Sequence, residues 1–196
     1  FVELRSALDS AQVVATRAAL VQRDGHVVDV DGVSPLVFEN TLPASFFVSV
    51  RHRNHLGAMT EQQIALTNAG TAVDFTDLNI PLWDDNTNLD GYEQDTMRGK
   101  HALWAGNVNA NATVVYAGQN NDKDPIFNEI DQAPLNIFRS QSYNYFGYRK
   151  GDVNLDGRAI FAGQKNDVDY IFNVVDGHPR NVLRSQSFVI REQLPN

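Results

Sequence analysis

The sequence contains no cysteine, which excludes disulfides and cysteine-ligated metal sites. Positive charge is scarce as well, because 16 Lys and Arg stand against 24 Asp and Glu, for a formal net charge of -8. This balance disfavours a nucleic-acid binder, since the chain has no excess positive charge with which to displace counterions from phosphates. Charges interrupt every long apolar stretch, so we expect no segment that spans a bilayer. The N-terminus also lacks a signal-peptide pattern, which suggests a mature or excised piece.

Catalytic motifs are missing too. The sequence has no nucleophile elbow, no Gly-rich phosphate-binding loop and no His-Glu-x-x-His pair. Carboxylates are abundant, but those with the most regular spacing fit a cation site better than an acid–base pair. We therefore predict that the protein is not an enzyme.

The first part of the chain alternates apolar and polar residues with period two, and Gly, Pro, Asp and Asn separate the runs. Turns are predicted around Gly25, Gly32 and Gly70. The predicted strands are 1–5, 13–22, 26–30, 36–39, 45–53, 63–67 and 71–75. This pattern predicts a mainly β protein with an N-terminal β-sandwich over 1–77, because each short strand has one apolar face to bury. A polar linker or loop region over 78–105 and a second domain over 106–196 follow.

The strand after Leu42 and Pro43 carries an aromatic, alternating pattern through Phe47, Val48 and Val50. In this respect the first domain resembles the prealbumin-like sandwich of Cna-B-type repeats. Some members of that family carry a Lys–Asn isopeptide crosslink. Residues 1–77 contain no lysine, so such a crosslink is excluded here.

The second domain is an internal duplication. A shift of 45 residues aligns 106–142 with 151–187, and 19 of 37 positions are identical. The shared residues include Ala-Gly-Gln-x-Asn-Asp-x-Asp, Ile-Phe-Asn and Arg-Ser-Gln-Ser. A unit this small cannot bury its own apolar face, so the two copies are expected to pack together.

The second copy contains an oxygen-rich loop, which we call loop 2 (152–167). Asp152, Asn154 and Asp156 occupy relative positions 1, 3 and 5, Gly157 follows at position 6, and Arg158 can offer its carbonyl. Alternate side chains of such a loop converge on Ca²⁺, and the Gly permits the sharp turn. An Asx turn without metal is the alternative reading of one such loop, but the duplicated spacing favours a calcium site.

A calcium loop followed by a helix, present in duplicate, resembles the type I dockerin repeat, and the match covers about 106–190. The resemblance implies that Asp152, Asn154 and Asp156 are ligands and that Arg158 is the carbonyl position. It also implies that Asp167, after a four-residue insertion, is the closing carboxylate.

The first copy carries the corresponding loop 1 (107–122). Asn107, Asn109 and Asn111 take the first three ligand positions, Ala112 replaces the Gly, and Asp122 is the closing carboxylate. Amides also coordinate Ca²⁺, but the lower charge predicts weaker binding than in loop 2.

Two helices are expected after the loops, at about 125–131 and 170–176. Asp124 and Asp169 precede these runs and are predicted N-caps, and Pro125 fits the first helical position. The helices should end near Pro134 and at Gly177.

Other candidate sites are weaker. His52 and His55 could bind zinc, but strand alternation and the absence of a nearby carboxylate in the sequence favour a solvated strand end with a turn at 54–57. Arg51 and Arg53 are expected to pair with acidic residues of the second domain. The stretch 84–95 is a possible third cation loop. Several aromatic residues suit either sugar stacking or core packing: Trp83, Trp104, Tyr143, Tyr145, Phe146 and Tyr148.

The chain as a whole is similar to accessory modules of secreted Bacteroidota surface proteins, which implies an extracellular or bacterial cell-surface location. Three functions stay open at this point. The first is a calcium-binding structural or adhesive module, including a fibre subunit that contacts copies of itself or another surface protein. The second is a carbohydrate-binding module with a polysaccharide ligand. The third is a dockerin-type module that docks onto a partner protein.

Overall fold

The computed structural model describes residues 1–84 and 95–195. Strands account for 24% and helices for 11% of the residues, so the protein belongs to the mainly β class, as predicted. The chain forms two compact units, the first comprising 1–51, 57–102 and 193–196, and the second 52–56 and 103–192. This division assigns most of the expected linker to the first unit and a short segment of the expected sandwich to the second. No helix in the described ranges is long and apolar enough to cross a membrane.

The first unit contains one five-stranded sheet and two hairpins in its described part. The strands are β1 Val2–Ser6, β2 Val13–Arg17, β3 Leu20–Val21, β4 Val27–Val28, β5 Ser45–Val50, β6 Ala58–Met59, β7 Ile64–Ala65, β8 Asp95–Met97 and β9 Lys100–Ala102. The sheet has the order β2-β1-β5-β6, with β7 also paired to β5, and β3-β4 and β8-β9 are the hairpins.

Period-two alternation explains the core of this sheet. Val2 and Leu4 of β1 and Phe46 and Val48 of β5 form one buried cluster, and the two strands pair antiparallel with Val2 opposite Val50. The predicted turns are confirmed, because Gly25, Gly32 and Gly70 all have positive φ.

Several strand predictions for this unit are wrong. Residues 36–39 and 71–75 form no strand, yet Leu36, Phe38, Val73 and Phe75 still pack against the apolar cluster. Alternation predicted the partial burial of these side chains but not whether their segments pair as strands. The expected strand 13–22 splits into β2 and β3, and the linker prediction missed the hairpin β8-β9.

The second unit contains β10 Thr113–Val115, α1 Lys123–Asp131, β11 Tyr145–Phe146, β12 Arg158–Ala159, α2 Asp167–Gly177 and β13 Val189–Arg191. β10 pairs with β13 and β11 with β12, both antiparallel. The buried core draws on matching positions of the two copies, namely Val108 and Val153, Val114 and Ala159, Ile126 and Ile171, and Ile130 and Val175. The expected common core of the two copies is therefore present.

The helix starts differ from the prediction. α1 and α2 begin before 125 and 170, and their N-cap residues are Asp122 and Asn166 rather than Asp124 and Asp169. Asn166 Oδ1 caps α2 by accepting a hydrogen bond from the Asp169 N–H (2.7 Å). In α1 the residue before the N-cap, Asn121, accepts the corresponding bond from the Asp124 N–H (3.0 Å). Asp124 and Asp169 lie in the first turn, where their negative charge favours the helix dipole.

Candidate functional site

The two loops have the same backbone path. Ala110 and Leu155, which align at the 45-residue shift, both have a φ of 59°. Asn120 (58°) and Lys165 (57°) form a second matching pair in the left-handed region. Non-glycine residues adopt this region only when the surrounding structure requires it, so its repetition at aligned positions shows one loop conformation in both copies.

The predicted closing carboxylate of loop 2 is bound by the loop's own backbone. Asp167 Oδ1 accepts hydrogen bonds from the N–H groups of Val153 (2.7 Å) and Asn154 (3.2 Å). Its Oδ2 accepts one from the Ile160 N–H (2.8 Å). Asp167 is fully buried and therefore fastens the start of the loop to the start of α2. We call this arrangement the aspartate clamp.

Loop 1 has the same clamp. Asp122 Oδ1 accepts hydrogen bonds from the N–H groups of Val108 (2.9 Å) and Asn109 (3.3 Å), and Oδ2 accepts one from Val115 (2.9 Å). Asp122 is also fully buried. The clamp is thus independent of the residues at the first three ligand positions, which differ in charge between the loops.

Burial controls the electrostatics of both clamps. It raises the pKa of Asp122 to about 7, although three backbone donors act in the opposite direction. Burial likewise raises the pKa of Asp167 to about 6 against the same kind of donors. Desolvation outweighs the hydrogen bonds because a backbone N–H carries only part of a charge. Burial therefore disfavours the charged form of both aspartates.

The other side chains of loop 2 are brought together by one backbone group. The Asp156 N–H donates to Asp152 Oδ1 (3.0 Å) and to Asn154 Oδ1 (2.9 Å), so these two oxygens converge. Asp152 is buried, whereas Asp156 is exposed and forms an ion pair with Arg158 Nε (3.1 Å). Burial raises the pKa of Asp152.

Loop 1 repeats this convergence with amides. The Asn111 N–H donates to Asn107 Oδ1 (3.0 Å) and to Asn109 Oδ1 (3.1 Å). The Asn111 side chain then differs, because its Oδ1 accepts from both the N–H (3.0 Å) and the hydroxyl (2.7 Å) of Thr113. All four predicted side chains lie in one loop, and each of them accepts at least one hydrogen bond from the protein itself.

Sequence reasoning missed a support for loop 2 from far along the chain. Asn54, which is fully buried, donates from Nδ2 to the carbonyl oxygens of Lys150 (2.8 Å) and Asp152 (2.7 Å). The backbone carbonyl of Asn54 accepts a hydrogen bond from the N–H of Gly106 (2.9 Å), which lies just before loop 1. One residue therefore fixes the starts of both loops. The predicted turn at 54–57 lies instead at 53–54, and this segment is not a solvated strand end.

The prediction for the neighbouring arginines is half correct. Arg53 Nη2 lies 3.3 Å from Asp152 Oδ2, which is an acid of the second domain as expected. Arg51 instead pairs with Glu3 in the first unit, at 3.3 Å.

The two histidines face each other rather than solvent. Nδ1 of His52 lies 3.0 Å from Nδ1 of His55. Burial lowers the pKa of His52 to about 4 and that of His55 to about 3. Across the described residues, no three His, Cys, Asp or Glu side chains form a group that could hold a metal ion. Loop 2 itself contains three such side chains, Asp152, Asp156 and Asp167, and in this structure they do not gather into one such group.

The aromatic residues divide into buried and exposed groups. Trp104 is buried in the core, where it stacks with His178 at 4.8 Å between ring centroids. Phe146 and Tyr148 are exposed, and Phe146 lines an open groove together with Phe138 and Tyr143. The possible third cation loop at 84–95 lies almost entirely outside the described residues.

Comparisons with known proteins return nothing. No family model matches the chain, and no curated protein or solved structure is similar enough to count as a match.

Proposed function

We propose that the protein is a non-catalytic, calcium-binding structural module, and that loop 2 holds the ion. The observation that carries this proposal is the convergence of Asp152 Oδ1 and Asn154 Oδ1 on the Asp156 N–H, at 3.0 Å and 2.9 Å. The exposed carboxylate of Asp156 lies at the next predicted ligand position. Gly157, with a φ of 91°, provides the sharp turn that a loop wound around Ca²⁺ needs.

The hydrogen bonds leave oxygen lone pairs for an ion. A carboxylate offers about four acceptor positions. Asp152 uses three of them, Asp167 uses three, and Asp156 uses one in its ion pair. One position thus remains on Asp152 and one on Asp167. Together with Asn154, Asp156, the Arg158 carbonyl and water, these can reach the six to eight oxygens that Ca²⁺ takes.

Loop 1 is the weaker candidate because its ligand set carries less charge. Asp122 is its only carboxylate, and three of that residue's acceptor positions are used by the clamp. Asn111 Oδ1 is already engaged by Thr113. We propose that loop 1 keeps its shape without an ion and fills only at calcium concentrations far above those that fill loop 2.

This proposal includes a setting outside the cell, at a bacterial surface or in a secreted protein. Calcium sites of extracellular modules bind in the range of about 10⁻⁴–10⁻³ M, which an incomplete ligand set can reach. The first unit would be a Cna-B-like domain whose irregular segments cover the sheet. The second would be a dockerin-like pair of loop–helix units that calcium stiffens, in a structural or adhesive role.

Thermal unfolding with and without calcium tests the proposal. An ion that binds only the folded loop stabilises it by about 2.7 kcal/mol at a hundredfold excess over the dissociation constant. We expect the melting temperature to rise with CaCl2 and to fall with EGTA, and Asp156→Ala should remove most of the difference. Coincident melting curves for the wild type in the two conditions would rule the site out.

A second candidate function is supported by the exposed aromatic groove. Phe138 and Phe146 are 88% and 68% exposed, and the amide of Asn144 lies beside them. Aromatic faces beside amides suit the stacking and hydrogen bonding of sugars. A glycan array probed in calcium and in EGTA separates the two functions. Glycan binding that Phe146→Ala abolishes would favour the carbohydrate-binding module. If no glycan on the array binds, this second function is ruled out.

A further inference from the structure

The side chain of Arg53 contacts the carboxylate of Asp152, the first residue of loop 2. Arg53 Nη2 is 3.3 Å from Asp152 Oδ2, and the two side chains are only 14% and 3% exposed. Arg53 Nε donates to the Arg149 carbonyl at 2.8 Å, and its guanidinium lies 3.9 Å from the ring centroid of Tyr148. These three contacts fix the position of the guanidinium.

We propose that Arg53 is a built-in counter-cation of loop 2, which neutralises Asp152 when calcium is absent and lowers the calcium affinity when it is present. The inference rests on the proposed calcium binding by loop 2. It assigns to Arg53 the role of a positioning and affinity-setting residue, since Arg53 itself offers no oxygen ligand from its side chain.

The physical reason is that two cations would share one carboxylate. The guanidinium uses an acceptor position on Asp152 Oδ2, and a bound Ca²⁺ would lie on the same group within a few ångströms of it. Like charges at that separation repel each other, and the repulsion is poorly screened because Asp152 is buried and only 14% of the Arg53 side chain is exposed. Without the ion, Arg53 instead offsets the cost of burying the Asp152 charge.

A comparison with loop 1 supports this role of Arg53. The residue that aligns with Asp152 is Asn107, which is also buried but carries no charge. In the described part of the chain, no arginine or lysine hydrogen-bonds the Asn107 side chain, whose Oδ1 accepts from the Asn111 N–H. A buried basic partner thus occurs where the loop begins with an acid and not where it begins with an amide.

Calcium titration calorimetry of charge variants tests the proposal. Arg53→Gln removes the charge but can still donate to the Arg149 carbonyl, and we expect it to bind CaCl2 about tenfold more tightly, equivalent to about 1.4 kcal/mol. Arg53→Lys keeps the charge and should stay within about twofold of the wild type. The control is Arg139→Gln, which breaks the exposed ion pair with Asp131 and should leave the affinity unchanged.

Several results would overturn the proposal. Unchanged or weaker binding by Arg53→Gln would do so, as would equal tightening by Arg53→Lys, because charge would then not be the cause. If neither the wild type nor Arg53→Gln binds calcium, the proposed function and the affinity role fail together.

A double-mutant cycle in EGTA tests the counter-cation role without any metal and keeps the two failures distinct. Arg53→Gln should destabilise the wild type but have little effect in an Asp152→Asn background, which imitates loop 1. Additive effects of the two substitutions would contradict the counter-cation role. If Arg53→Gln alone does not fold in EGTA, folding of the double variant supports the role, and its failure to fold opposes it.

Discussion

Loop 1 and loop 2 share a backbone conformation, a buried aspartate clamp and a convergent pair of side-chain oxygens, yet they differ in charge at the first and third ligand positions. Because loop 1, with amides at these two positions, has the same shape as loop 2, the shape does not depend on carboxylates there. The clamp and the left-handed positions specify the conformation. The carboxylates at Asp152 and Asp156 are the added feature that we connect with an ion.

Removing a clamp should have the largest effect on stability. Asp122→Ala and Asp167→Ala each remove the side-chain acceptor of three backbone N–H groups, of which those of Val108 and Val153 keep a second acceptor in the preceding glycine carbonyl. We expect each to lower the free energy of unfolding in EGTA by about 3 kcal/mol or more, measured by urea denaturation. The control Asp131→Ala, which breaks an exposed ion pair, should cost less than about 1 kcal/mol. Equal small losses from all three would contradict the clamp.

The ends of the helices provide a pH test of the same comparison. His178, the C-cap residue of α2, is buried, whereas the aligned residue of the first copy is the buried Ala133. Burial lowers the pKa of His178 to about 4, and its Nδ1 accepts from the Arg180 N–H. The unfolded chain therefore binds this proton more readily than the folded protein does. The contribution of His178 to stability is present above about pH 6.5 and is lost as the pH falls towards 4.

We expect this contribution to reach about 3 kcal/mol over that range. Unfolding free energies of the wild type and His178→Ala, measured from pH 7 to pH 4, should therefore converge on acidification. Parallel curves would show that the second copy has no such pH dependence.

The duplication could be predicted from the sequence because 19 of 37 aligned positions are identical, and the shared core followed from it. The clamp could not, since a carboxylate before a helix looks the same whether it binds an ion or N–H groups 7 and 14 residues away. The support from Arg53 and Asn54 depends on contacts across 96 or more residues, which no local pattern encodes. In the first unit, alternation predicted which segments are buried but not which of them pair as strands.

Transferring charge to loop 1 should sharpen the contrast between the loops. Asn111→Asp with Ala112→Gly gives the loop a second carboxylate and the glycine of loop 2. We expect its calcium binding to tighten about tenfold, equivalent to about 1.4 kcal/mol, in calorimetry on an Asp156→Ala background that silences loop 2. If the calcium affinity does not change, the lower charge of loop 1 is not the cause of its weaker binding.

A smaller effect is expected from exchanging residues at the turn position. Ala112 has a φ of 62° where Gly157 has 91°, so the alanine carries left-handed strain that the glycine avoids. Ala112→Gly should stabilise by about 0.5–1 kcal/mol, and Gly157→Ala should destabilise by about 1 kcal/mol. Thermal unfolding in EGTA measures both. Changes of the same sign would show that the two turns are not equivalent.

Calcium titration calorimetry of the wild type beside Asp156→Ala tests the central claim most directly. We predict one tighter binding step in the wild type, assigned to loop 2, with any step from loop 1 much weaker. Asp156→Ala should abolish the tighter step and leave the weaker one intact. Two equal steps in the wild type, or loss of only the weaker step in the variant, would contradict the assignment of calcium to loop 2.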